Sequence, residues 1–182
     1  ANYTPIGGAF CQPQSITFNN SSTGQAPLTY QWNINGTGYT STNPTHIFTN
    51  TGNIDSFYSH ELIVTSIFNC KDTVTRQLTI HPDPKSEFTA TNTIACAPFK
   101  IDSINIRQVL YPGSNGIYSW YVNDTLKSSS TTITQFPGFT IGRADDSVSI
   151  KLVVRSKFGC PKVDSLEMKF RTIPNPKPSF YE

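Results

Sequence analysis

Four side chains in this 182-residue chain can form covalent links: Cys11, Cys70, Cys96 and Cys160. An even number of thiols with no C-x-x-C pair points to disulfides rather than to a zinc site or a dithiol redox motif. Disulfides persist in oxidising compartments, so the chain is expected to be extracellular or at the cell surface. Other groups able to do chemistry are sparse. His46, His60 and His81 are scattered, and all three fall in the first half. A hydrolase needs an oriented nucleophile and base, and no nucleophile elbow, zincin helix or phosphate loop occurs. His60 lies in an alternating segment and reads as an outward or half-buried side chain. Asp145-Asp146 reads as a turn before a strand rather than as a cation ligand pair. The expectation is a protein that is not an enzyme, with no cofactor and no metal site.

The elements that hold these cysteines come in two copies. Cys11 precedes the strand-like Ser15-Ile16-Thr17-Phe18, Trp32 follows in Thr29-Tyr30-Gln31-Trp32, and Phe68-Asn69-Cys70 closes the set. The second half repeats the order with Cys96, Phe99-Lys100-Ile101, Tyr118-Ser119-Trp120 and Phe158-Gly159-Cys160. The steps from 11 to 96, 32 to 120 and 70 to 160 are 85, 88 and 90 residues, so the second copy carries small insertions. The turn-rich segment Val109 to Gly116 is the expected place for one. Residues 58–66 and 147–154 are rich in β-branched side chains with partial two-residue alternation, as half-buried strands require. Residues 73–80 and 163–173 read as the last strand of each copy. No amphipathic helix is evident. Ser and Thr are abundant, and Gly and Pro are frequent beside them, a composition suited to strands and turns.

These features predict an all-β chain of two tandem immunoglobulin-like β-sandwiches, residues 1–82 and 85–174, each with one intradomain disulfide. Residues 175–182 are read as a linker or the start of a further repeat. The Pro-x-Pro segments Pro82-Asp83-Pro84 and Pro174-Asn175-Pro176 would stiffen the connections. Tyr3 and Phe88 each lie eight residues before the first cysteine of their copy, and Phe180 or Tyr181 would be the corresponding aromatic of a third. Four cysteines allow three pairings. The repeat favours Cys11–Cys70 and Cys96–Cys160, each closing a loop of roughly 60 residues, worth about 4 kcal/mol in the chain-entropy description. Trp32 and Trp120 are assigned to the two cores. Net charge is +2 and 14% of residues are charged, so neither nucleic acid nor an anionic membrane is an expected partner. No apolar run is long enough to span a bilayer as a helix.

The order Cys, strand, Tyr-x-Trp, strand, Asn/Gly-Cys, strand and Pro-x-Pro linker resembles tandem PKD domains, most closely those of large surface and secreted proteins of the Bacteroidota. Trp32-Asn33-Ile34-Asn35-Gly36 and Trp120-Tyr121-Val122-Asn123-Asp124 depart from that family's Trp-Asp-Phe-Gly-Asp-Gly and lack its acidic residues, which argues against a calcium site. The resemblance implies a spacer or adhesion module, strung together in adhesins, gliding-motility proteins and carbohydrate-active enzymes. Its partners would be neighbouring repeats or subunits of the same protein. Five of the eight Asp residues are followed by Ser or Thr and an aliphatic residue, against roughly 0.6 expected from composition. This resembles the O-glycosylation acceptor of exported Bacteroidota proteins and makes Thr73, Ser103, Thr125, Ser147 and Ser165 candidate acceptors; the alternative is a turn entering a strand. Sequons at Asn2, Asn19, Asn20, Asn35 and Asn123 carry little weight in a chain so rich in Asn, Ser and Thr. Two further readings are a filament subunit, assembling through residues 1–8 or 177–182, and a carbohydrate-binding module. The latter would take surface glycans on Tyr39, Phe57, Tyr111 and Phe136.

Overall fold

A computed structural model describes residues 1–102, 106–108, 116–131 and 135–178. The expected insertion at 109–116 lies largely outside them, as do Ser103, Tyr111, Phe180 and Tyr181. The chain forms two compact units, Ala1–Asp83 and Pro84–Glu182. All regular structure among the described residues is β.

The first unit contains β1 (Tyr3–Thr4), β2 (Ala9–Cys11), β3 (Gln14–Thr17), β4 (Asn19–Asn20), β5 (Thr29–Ile34), β6 (Thr37–Tyr39), β7 (Thr45–Phe48), β8 (Ser56–Thr65) and β9 (Lys71–His81). One sheet runs β2-β9-β8-β5-β6, and the facing layer is made of the pairs β1-β4 and β3-β7. The second unit repeats this plan with β10 (Phe88–Ala90), β11 (Ile94–Cys96), β12 (Phe99–Ile101), β13 (Ile106–Gln108), β14 (Gly116–Val122), β15 (Thr125–Ser130), β16 (Phe139–Ile141), β17 (Ser147–Ser156) and β18 (Val163–Ile173). Its large sheet runs β11-β18-β17-β14-β15, faced by β10-β13 and β12-β16. In both copies the strand carrying the first cysteine pairs in parallel with the end of the last strand, and every other pairing is antiparallel.

Alternation decides which side chains meet between the sheets. In β8, His60, Leu62 and Val64 are buried, while Phe57 and Ser59 are exposed. Trp32 is buried against Tyr3 and Phe18, with ring centroids 4.9 and 5.8 Å away, and its Nε1 donates to Ser41 O at 3.0 Å. Trp120 is buried between Phe88 and Phe136 at 5.1 and 5.3 Å. Each unit therefore has its own aromatic core, with tilted and edge-on ring contacts that add to area burial.

The hairpins that follow Trp32 and Trp120 share one device. Asn35-Gly36 joins β5 to β6 with φ of 50° and 80°, and Asn123-Asp124 joins β14 to β15 with φ of 46° and 58°. Two successive left-handed residues are what a tight two-residue hairpin demands, and Asn, Asp and Gly tolerate that conformation best. Asn35 N donates to Ser59 O, and Asn123 N to Ser149 O, both at 3.0 Å, so each turn is tied to the neighbouring strand.

The expected intradomain disulfides are not formed. Cys11 and Cys160 are disulfide-bonded, whereas Cys70 and Cys96 carry free, exposed thiols. Strand register explains why. Cys11 sits opposite His81, the last residue of β9, while Cys70 immediately precedes Lys71, its first. A strand rises roughly 3.3 Å per residue, so this one sets the two thiols about 35 Å apart. A disulfide needs Cα atoms within about 7 Å. The second copy has the same geometry: Cys96 sits opposite Ile173 at the end of β18, and Cys160 precedes its start at Val163.

Candidate functional site

Each sandwich has two cysteine-bearing ends, and its last strand separates them. At the entry end lies a turn of shared construction. In the first copy it is Ser66-Ile67-Phe68-Asn69-Cys70: Asn69 adopts φ 60°, Asn69 N donates to Ser66 O at 2.9 Å, and Cys70 N reaches Ser66 Oγ at 3.3 Å. In the second it is Ser156-Lys157-Phe158-Gly159-Cys160, with Gly159 at φ 77° and Gly159 N donating to Ser156 O at 3.4 Å. A left-handed residue before the cysteine closes the turn in both, which is why Asn or Gly stands there.

The chain also enters each sandwich at this end. Ser86 N and Oγ donate to Asp164 Oδ2 at 2.6 and 2.9 Å, beside the first residue of β18. In the first copy the N-terminal ammonium of Ala1 donates to Asp72 Oδ2, likewise beside the first residue of β9. Ala1, Leu28, Val64, Phe68, Cys70 and Asp72 line a cavity of about 290 Å³ there. Ile67 and Phe68 of this turn are 54% and 74% exposed.

At the exit end, Gln12 N donates to His81 O at 3.3 Å and Ala97 N donates to Ile173 O at 3.1 Å, fixing the residue after each first cysteine to the last residue of the final strand. Cis prolines follow, at Gln12-Pro13 and Ala97-Pro98. Buried Asn50 organises the first copy's exit loop: its Nδ2 donates to Ile54 O and Ile80 O at 2.7 Å, and its N–H donates to Gln12 Oε1 at 2.8 Å. His81 Nδ1 lies 2.9 Å from Asp55 Oδ1. In the second copy, Asn175 Nδ2 donates to Ala97 O at 2.8 Å.

One group of chemical interest was misplaced by sequence reasoning. His60 is fully buried, not outward or half-buried. Its Nδ1 is 2.8 Å from the hydroxyl of buried Tyr3, which also donates to His60 O at 3.0 Å. Its Nε2 has no hydrogen-bond partner. The Arg76 guanidinium lies over the Tyr3 ring, 4.5 Å from its centroid. Burial, reinforced by Arg76, lowers the His60 pKa to about 4, and burial pushes the Tyr3 hydroxyl up to about 12. Register shows the second copy's solution to the same position. His60 lies between Ile34 and Arg76, whereas Ile150 lies between Val122 and Met168. An aromatic–imidazole–guanidinium cluster in one copy is replaced by apolar residues in the other. The two-residue alternation that places His60 on the face of Leu62 and Val64 was the signal available in the sequence.

The candidate acceptors Thr73, Thr125, Ser147 and Ser165 are all exposed and stand at or near the first residues of their strands. Asp72 Oδ1 accepts from Thr73 N at 2.9 Å and Asp146 Oδ1 from Ser147 N at 2.8 Å. Ser103 lies outside the described residues. Among the proposed sugar-stacking aromatics, Phe57 is 64% exposed. Tyr39 is half-buried and bonded to His46 Nδ1 at 2.8 Å. Phe136 is in the core and cannot present a face to a ligand. Among the described residues, these rings form no platform, and no three His, Cys, Asp or Glu side chains cluster as metal ligands would.

No family model matches the chain, and no curated protein matches it. Solved structures do. An I-band fragment of titin, I67-I69, matches 91% of this chain and 62% of its own length at 13% identity, with a TM-score of 0.52. A variant of the same fragment matches 94% and 65%, at 15% identity and the same score. Fibronectin(III)-like modules of CbhA from Clostridium thermocellum match end to end, at 10% identity and a TM-score of 0.38. The chain spans about three fifths of the titin fragment. Strand topology and the titin likeness define the class: an all-β chain of two immunoglobulin-like β-sandwiches in tandem.

Proposed function

We propose that the chain is a non-catalytic extracellular structural module, a stiff repeat spacer of a large cell-surface adhesin or exported multidomain protein. The observation that carries this reading is where the chain enters and leaves. In each sandwich the entering segment is anchored by an Asp beside the start of the last strand, and the chain departs from that strand's end. A unit crossed from end to end adds its length to an array; one entered and left at the same end would add a side branch. The rigid turns and the Pro-x-Pro connector suit the same role. Neighbouring repeats or subunits are the proposed partners.

Modification of the exposed Asp-Ser/Thr strand entries by O-linked glycans is a further part of this proposal. Such glycans would add bulk and solubility at exposed edges. The test of the spacer role is the length of the gene product that contains these residues. Many further copies of the unit are the expected result, and a product confined to these two sandwiches contradicts the spacer role.

A further inference from the structure

The cysteines fall into two classes by their place in the fold. Cys11 and Cys96 mark the exit end of their sandwiches, opposite the last residue of the final strand. Cys70 and Cys160 mark the entry end, in the turn before its first residue. The two bonded cysteines are one of each class, and so are the two free ones. Neither class can reach the other within a sandwich, because the length of the last strand lies between them. The free entry-end cysteine is also set in more open surroundings than its bonded counterpart. Cys70 is exposed beside Phe68 at 74%, whereas Cys160 is 7% exposed beside Phe158 at 44%. At the free exit end, Ile94 and Ile173 flank Cys96, 45% and 40% exposed.

We propose that Cys96 and Cys70 are the two halves of a head-to-tail disulfide between copies of this unit. The exit-end thiol of one sandwich joins the entry-end thiol of the next, and the exposed apolar residues around each thiol pack against one another. The occupant of each free end is therefore a second copy of this chain. This inference rests on the spacer reading. It adds that the junctions are covalent, so that load passes through sulfur–sulfur bonds as well as through the Pro-x-Pro connectors.

The chemistry needs an oxidant, and a small-molecule or protein disulfide supplies it. The Cys96 thiolate attacks one sulfur of that disulfide, forming a mixed disulfide and releasing one thiolate. The Cys70 thiolate of the next copy then attacks the Cys96 sulfur and expels the second. Two protein thiols lose two electrons and two protons, the oxidant gains both, and two oxidant thiols leave.

The test uses the whole 182-residue chain, as an equal mixture of ¹⁵N-labelled and unlabelled protein in a glutathione redox buffer. Products are read by non-reducing electrophoresis and by mass spectrometry of linked peptides. The expected result is a ladder of dimers, trimers and longer species in which Cys70–Cys96 links between differently labelled chains exceed either like-with-like link by about tenfold; random pairing would give only about twofold. Cys70→Ser and Cys96→Ser, both exposed positions, should each stop the ladder at dimers, and mixing the two variants should give mixed dimers in preference to like ones. Circular dichroism confirms that each variant stays folded. Links in random proportion, links confined to single chains, or no links at all would overturn the proposal. A long gene product with many repeats would still uphold the spacer role in each of those cases, so the two failures are distinguishable.

Discussion

His60 offers the sharpest energetic test of the core. It is fully buried, hydrogen-bonded to Tyr3 and near the Arg76 guanidinium, and its pKa falls from 6.5 to about 4. Lowering the folded-state pKa means that the unfolded chain binds a proton more readily between those values. Stability is therefore fully present above about pH 6.5 and is lost as the pH falls toward 4. Integrating the difference in proton binding gives a loss of about 2 kcal/mol by pH 5 and about 3 kcal/mol by pH 4. For a domain of this size, a loss of about 2 kcal/mol lowers Tm by roughly 10 °C. The second sandwich carries Ile150 and Phe88 at the matching places, so the control is Tyr3→Phe with His60→Ile. Urea unfolding can be followed by Trp32 fluorescence in a Trp120→Phe background, from about pH 7.5 to about pH 4. The stability of the wild-type core relative to the control core should fall by those amounts as the pH is lowered. Parallel pH profiles for the two would refute the account of a buried neutral imidazole.

Further outcomes follow from the same structure. Trp120→Ala should cost about 3–5 kcal/mol in the second sandwich alone, since each unit has its own core; calorimetry should show one transition displaced and the other unmoved. Asp164→Ala removes the acceptor of two charge-assisted hydrogen bonds from Ser86 and should destabilise the second sandwich by about 2 kcal/mol, with the faster hydrogen exchange confined to residues 84–90. Gly36→Val forces a β-branched side chain into a left-handed turn position at φ 80° and should cost at least about 1 kcal/mol in urea unfolding. Protein from its native source should exceed the mass of the bare chain by whole glycan increments, and a mass equal to the bare chain ends the glycosylation proposal.

Much of the architecture could be read from the sequence because its determinants are local. Alternation in residues 58–66 and 147–154, and turn pairs such as Asn35-Gly36, need no long-range information. The repeat adds the rest, since it places each Trp and each last strand twice. Cysteine pairing failed for a physical reason. A repeat reveals which cysteines are equivalent, but equivalence says nothing of which end of a strand each occupies. That depends on the parallel register of β2 on β9 and of β11 on β18, a contact between the opening and closing segments of each copy. A bridge within each copy satisfied the symmetry and not the distance. His60 differs in kind: its polarity points to solvent, but its place on the inward face with Leu62 and Val64 decides its burial. The apolar Ile150 of the second copy marked that position as core.

The end-to-end passage of the chain through each sandwich is the central claim, and a spin-label distance across the first one tests it most directly. One label goes at the entry, as Asn2→Cys, and the other at the exit, as Asp83→Cys, with Cys70 and Cys96 replaced by Ser. Asn2 follows Ala1, whose nitrogen meets Asp72 at the start of β9, and Asp83 lies two residues past His81, the last residue of that strand. At the rise of a β-strand this places the labelled backbone positions about 30 Å apart, and a distribution centred near that value is the expected result. A distribution centred below about 15 Å, less than half the length of β9 at the same rise, would mean that the chain enters and leaves at one end and would contradict a spacer.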